Sequence, residues 1–178
     1  LIILKVPLNK TLIILVVNYP YGYGEHFIEN ELLILSKEFE TIYIIATDQK
    51  YIGSKVQVAK IPDNVQLIEY PENISLKDKF LSVKNIFSRV FFEEIFFYRK
   101  ISFRFIKIFS MEYLKSLKFS EFIFSLINRL NIERNSCYVY SYWNDYMAAS
   151  ISKLKTICPE IKGFTRAHGW DVYCERHP

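Results

Sequence analysis

Glycine is scarce in this chain, with five among 178 residues, and between Ile74 and Asn131 there is neither glycine nor proline. Cysteine is limited to Cys137, Cys158 and Cys174, an odd number, far apart and with no CxxC pair. That excludes a disulfide framework and a thiolate zinc or redox motif, and it points to reduced thiols in a cytosolic compartment. Long apolar runs are missing too. The longest uncharged stretch lies between Lys10 and Glu25 and contains Asn, two glycines and a proline, short of the about 20 apolar residues that a membrane-spanning helix needs. The start has no basic lead-in followed by a small-residue cleavage site, so it does not read as a signal peptide. No internal repeat and no low-complexity linker is visible.

What is present is a globular composition, 51 % hydrophobic and 24 % charged, in a length that suits one domain, residues 1–178. Leu12–Val17 is a continuous, β-branched apolar run, the pattern of a strand covered on both faces. Ile28, Leu32, Leu35 and Phe39 recur at helical spacing, and Thr41–Thr47 forms a second strand, so the opening reads as a right-handed βαβ unit. Val65–Tyr70, bracketed by Pro62 and Pro71, is a third strand. Residues 74–131 read as two or three consecutive helices with breaks that nothing punctuates. Strand Cys137–Tyr142, helix Asp145–Lys155 and strand Ile161–Thr165 follow. This alternation predicts an α/β, Rossmann-like three-layer sandwich with a mostly parallel sheet, strand order 3-2-1-4-5 and a helical insertion.

Two of the five glycines fall in NYPYGYGEHF (Asn18–Phe27), the loop at the carboxyl end of the first strand. Ligands of open α/β sheets bind at that end. Glycines there permit tight turns and close backbone approach, and the next helix offers its N-terminus to an anion. A tight turn lined by packed tyrosines is the structural alternative. Gly22 and Gly24 also begin a GxGxxG pattern, and Asp48 follows the second strand where a ribose-binding acid would lie. Phe27 replaces the third glycine, however, and Glu25 brings a negative charge to the pyrophosphate position, which counts against a nucleotide- or dinucleotide-binding oxidoreductase domain.

A second cluster lies just past the last strand: Arg166, His168, Asp171, Tyr173, Glu175, Arg176 and His177. Arg166 and His168 are one residue apart, so in extended backbone they point the same way. A guanidinium and an imidazole converging on one volume suit phosphate, carboxylate or sugar hydroxyls, and charges pairing with one another are the alternative. No His or Cys spacing supports a metal site. The loop YSYWND (Tyr140–Asp145) shares this end of the sheet. Its Tyr142 and Trp143 fit either a core or an aromatic rim for a sugar or lipid headgroup, and Asn144 or Asp145 can cap the next helix. Ser141 is no elbow nucleophile, because GxSxG is absent.

Three motifs, YPYGYGEHFIENELLIL, YSYWND and RAHGWDVYCER, in this order, resemble the amino-terminal half of bacterial glycosyltransferases of family 4 that build capsular, exopolysaccharide or lipopolysaccharide chains. RAHGWDVY is the most specific of them. The resemblance implies a GT-B architecture, in which an amino-terminal domain mainly holds the acceptor. A carboxy-terminal domain with a Glu-x7-Glu motif mainly holds the nucleotide sugar. On this expectation residues 1–178 are the acceptor-side domain, the donor-binding domain is absent from the chain, and the chain alone is inactive. The resemblance further implies sugar transfer with retention, to a saccharide or lipid-linked acceptor. It implies no metal or other cofactor beyond the nucleotide sugar as co-substrate. His168 matches the family histidine beside the donor sugar and is the expected catalytic residue. Gly22, Tyr23, Gly24 and Glu25 are expected at the floor of the cleft, with Tyr142, Trp143, Arg166 and Asp171 as further substrate-binding residues. Tyr23, between the glycines, departs from the family's glycine pair.

Residues 74–124 hold ten Lys or Arg against five Asp or Glu, while the whole chain has a net charge of +4. Phe91, Phe92, Ile95, Phe96, Phe97 and Tyr98 alternate with Arg89, Arg99, Lys100, Arg104 and Lys107. A basic amphipathic helix reads as a peripheral membrane element, at the inner face of the cytoplasmic membrane. Packing of the Phe stripe on the sheet or on the carboxy-terminal domain is the other reading. No nucleic-acid-binding fold is recognisable. A non-catalytic membrane-surface module is the third functional alternative.

Overall fold

A computed structural model describes residues 10–21, 25–48, 60–71, 75 and 103–168. Five strands form one parallel sheet: β1 (Thr11–Val16), β2 (Thr41–Ala46), β3 (Val65–Glu69), β4 (Cys137–Ser141) and β5 (Lys162–Thr165). Their order is β3-β2-β1-β4-β5, the order expected from the alternating elements. β1 is central and pairs in register with β2 (Ile13 opposite Tyr43) and with β4 (Ile13 opposite Val139).

The unbroken apolar character of β1 follows from its place. Leu12, Ile14 and Val16 point into one layer, Ile13 and Leu15 into the other, and all five are fully buried. Burying each such side chain contributes roughly 1.5–3 kcal/mol, so this strand anchors both outer layers. On one face lies helix α1 (Ile28–Glu38), whose Ile28 and Leu32 are buried. The carbonyls at its C-terminus are collected by Asn64, whose Nδ2 donates to Ser36 O and Phe39 O at 2.9 Å each.

The opposite face is covered by α2 (Phe103–Arg129) and α3 (Tyr146–Ile157), which pack on each other. The described part of 74–131 holds one 27-residue helix; the rest of that segment, for which further helices are expected, lies outside the described residues. It ends where Asn131 takes the left-handed conformation (φ 52°), with Ile132 N–H on Ile127 O and Asn131 N–H on Asn128 O. That is a Schellman stop with Asn in the role more often filled by Gly. Phe119, Phe122 and Phe124 of α2 pack on the sheet, Phe119 lying 4.6 Å from Tyr70 between ring centres. The Phe91–Lys100 stretch lies outside the described residues. No described helix is long and apolar enough to cross a membrane.

β5 is an edge strand with all four residues exposed. Its inner side meets α3 closely: a Cβ built on Gly163 would stand 2.2 Å from Ile151 Cγ2. Cys137 and Cys158 are free and buried, and burial, reinforced by Cys158, pushes the Cys137 thiol up to about 12, so these two sulfurs serve the core.

Candidate functional site

Because all strands run the same way, β1, β4 and β5 deliver their following loops to one rim. The first loop turns directly after β1. Tyr21 N–H reaches Asn18 O at 2.7 Å, and the turn contains a cis Tyr19–Pro20 peptide, the arrangement of a type VI turn. The chain then returns so that Glu25, only 1 % exposed, inserts beneath the turn. Glu25 Oε1 accepts from Val17 N (2.9 Å), and Oε2 accepts from Asn18 N (2.7 Å) and Tyr19 N (2.9 Å). The fourth donor comes from the second loop: Trp143 Nε1 reaches Oε1 at 2.6 Å. An ionised carboxylate offers about four acceptor positions, and here four N–H groups fill them.

The second loop is itself locked. Ser141 Oγ donates to Trp143 O at 2.6 Å, and Asp145 caps α3 by accepting from Met147 N at 2.8 Å. Tyr142 N donates to Leu15 O at 3.0 Å, tying the loop to the central strand. The third loop closes over it. Arg166 N and Thr165 Oγ1 both donate to Ser141 O, at 3.0 and 3.3 Å.

His168 lies on this frame. Its ring is 4.4 Å from that of Trp143 and 4.9 Å from that of Tyr142, and Nε2 is 2.9 Å from Tyr142 O. A carbonyl can only accept, so Nε2 carries the proton of this hydrogen bond. The Arg166 guanidinium sits over the Tyr142 ring at 5.5 Å and pairs with Glu31 in the first turn of α1. Glu31 Oε2 also accepts from Tyr140 OH at 3.1 Å. Burial, with the adjacent Glu31 charge, pushes the Tyr140 phenol up to about 12. Three buried polar atoms near this rim have no hydrogen-bond partner among the described residues: Asn18 Oδ1, Tyr19 OH and Tyr142 OH.

Five of the nine residues expected at the site are therefore brought together: Glu25, Tyr142, Trp143, Arg166 and His168. Gly22, Tyr23, Gly24 and Asp171 lie outside the described residues. Glu25, expected at the cleft floor, has its carboxylate turned inside the loop; Tyr142, expected to bind substrate, is buried, with its ring covered by His168 and Arg166. Glu31 was not anticipated. Its signal was its position in the first turn of α1, the end of the helix that begins at the ligand rim. No protein-family model, no curated protein and no solved structure matches this chain.

Proposed function

We propose that this domain is the acceptor-side part of a retaining glycosyltransferase. It moves a sugar from a nucleotide sugar to a saccharide or lipid-linked acceptor in surface polysaccharide synthesis, in the cytoplasm at the inner face of the membrane. In this reading a second α/β domain supplies most of the nucleotide-sugar contacts. The observation that carries the reading is the seating of His168 on Tyr142 and Trp143, beside the Arg166–Glu31 pair, where three strand ends meet.

Such a rim has the chemistry a sugar needs. A pyranose presents apolar C–H faces to aromatic rings and a girdle of hydroxyls to polar groups. A half-exposed guanidinium–carboxylate pair supplies donors and acceptors side by side for neighbouring hydroxyls. With Nε2–H held by the Tyr142 carbonyl, the His168 imidazole is fixed against the rim, where it helps to orient the donor sugar as the bond to its leaving group breaks.

The dinucleotide reading meets an obstacle in the first loop. The amides that follow β1, which would hold a pyrophosphate, are already occupied by Glu25. The test is to supply the enzyme carrying this domain with a panel of nucleotide sugars and saccharide acceptors and to read product configuration by NMR. Transfer with retained anomeric configuration supports the proposal. Tight binding of a nicotinamide dinucleotide with no sugar transfer contradicts it.

A further inference from the structure

Three consecutive amides, those of Val17, Asn18 and Tyr19, point at one carboxylate. Successive backbone N–H groups of this kind form a nest for an anion. Here the anion is part of the chain. Glu25 is separated from its nest by six to eight residues and from its fourth donor, the indole of Trp143, by 118.

The fourth donor connects the nest to the rest of the rim. Trp143 meets Glu25, which holds its N–H, and its ring packs edge-on against Tyr142 and carries His168 at 4.4 Å. The indole can donate only once and only in its own plane. Fixing that hydrogen bond therefore fixes the tilt of the ring, and with it the surface on which the imidazole rests.

We infer that Glu25 is a positioning residue: its carboxylate is the resident anion of the Val17–Tyr19 nest and, through Trp143, sets the orientation of His168. The inference rests on the reading of His168 as a site residue for its functional meaning, but the coupling itself is independent of any reaction. Only a carboxylate serves. A glutamine of the same shape keeps one acceptor oxygen and turns an NH2 group toward two N–H donors, leaving both unpaired in a buried place.

The experiment uses the 178-residue chain labelled with 15N, in which Trp143 and Trp170 give the two indole signals. Trp143→Phe assigns them. In Glu25→Gln the Trp143 indole hydrogen is expected to exchange with solvent at least about tenfold faster, and the His168 ring signals move toward those of Trp143→Phe. In Glu25→Ala, sodium formate restores both signals toward wild type while sodium chloride at equal ionic strength does not, because formate refills the nest. Where the Glu25 variants do not fold, Trp143→Phe alone decides: it leaves the backbone nest intact and is expected to shift the amides of Val17–Tyr19 together with the His168 ring. Glu25→Gln that lowers the melting temperature but leaves the Trp143 indole and His168 signals in place overturns the inference, since Glu25 would then hold only its own loop. So does a Trp143→Phe variant whose nest amides and His168 ring stay at wild-type positions. The signals are read without sugar, so a failure to bind nucleotide sugar counts against the proposed function and leaves the coupling standing.

Discussion

Trp143 donates its indole N–H to Glu25 across 118 residues of sequence, at 2.6 Å. One hydrogen bond thereby ties the loop after β1 to the loop after β4. It gives the rim its shape before any ligand arrives, which is the preorganisation that binding and catalysis both exploit. The same bond explains why a glutamate stands in a loop otherwise suited to an anion: the chain carries its own.

The α3 cap is the simplest feature to measure. Asp145→Ala removes the acceptor for Met147 N–H and is expected to cost about 1 kcal/mol, lowering the melting temperature by about 2–4 °C. Asp145→Asn should retain most of that stability. Thermal unfolding of the two variants side by side checks the assignment.

Gly163 on β5 has no room for a side chain. Gly163→Ala drives a methyl group into Ile151 Cγ2 and is expected to destabilise by about 1–3 kcal/mol. Ile151→Leu, which moves the branch away from Cβ, should return part of that loss in the double variant. A double-mutant cycle showing no coupling would mean that β5 and α3 do not meet here.

Tyr142 makes the opposite prediction. Its ring contacts His168 and Arg166, but its buried hydroxyl has no partner among the described residues. Tyr142→Phe should keep the ring contacts and leave stability unchanged or raise it by up to about 1 kcal/mol. A clear fall in melting temperature would show that the hydroxyl is held.

Alkaline pH should unfold the domain. The phenols of Tyr19 and Tyr140 are each raised from 10.0 to about 12, chiefly by burial, with Glu29 and Glu31 respectively adding to it. Between these values the folded state binds more protons than the unfolded state, so stability falls as pH rises. The contribution is fully present below pH 10 and is lost through pH 12. Melting temperatures measured from pH 8 to 12 should drop across this window, and Tyr140→Phe should flatten the drop.

Much of the architecture was legible in the sequence because the hydrophobic pattern encodes it. Leu12–Val17 is apolar without alternation because β1 is covered on both faces, and the βα alternation dictates a parallel sheet with its loops at one rim. The helix of residues 103–129 was harder: the absence of Gly and Pro gives no punctuation, and Asn131 is an unobtrusive stop. The exposure of β5 was not legible either, since four residues, Lys162–Thr165, are too few to show a burial period. At the site, Arg166 and His168 both rest on the Tyr142 ring, while Arg166 turns its charge to Glu31, a partner that their spacing does not announce. The inward turn of Glu25 is equally unannounced, because nothing periodic links a carboxylate to amides six to eight residues before it and an indole 118 residues later. Glu31 was hidden for the related reason that the first turn of α1 reads as a helix surface until the sheet is assembled beneath it.

His168 carries the central claim. On the proposed function, His168→Ala in the full-length protein removes a group that orients the sugar as its bond breaks, an interaction made chiefly in the transition state. The decisive measurement is turnover and melting temperature on that one variant. The account predicts a fall in sugar-transfer rate of roughly a hundredfold, about 3 kcal/mol, with the melting temperature lowered by no more than about 4 °C. Near-normal turnover per folded molecule with a markedly lower melting temperature would contradict it, and would make His168 a packing residue on the Tyr142–Trp143 frame.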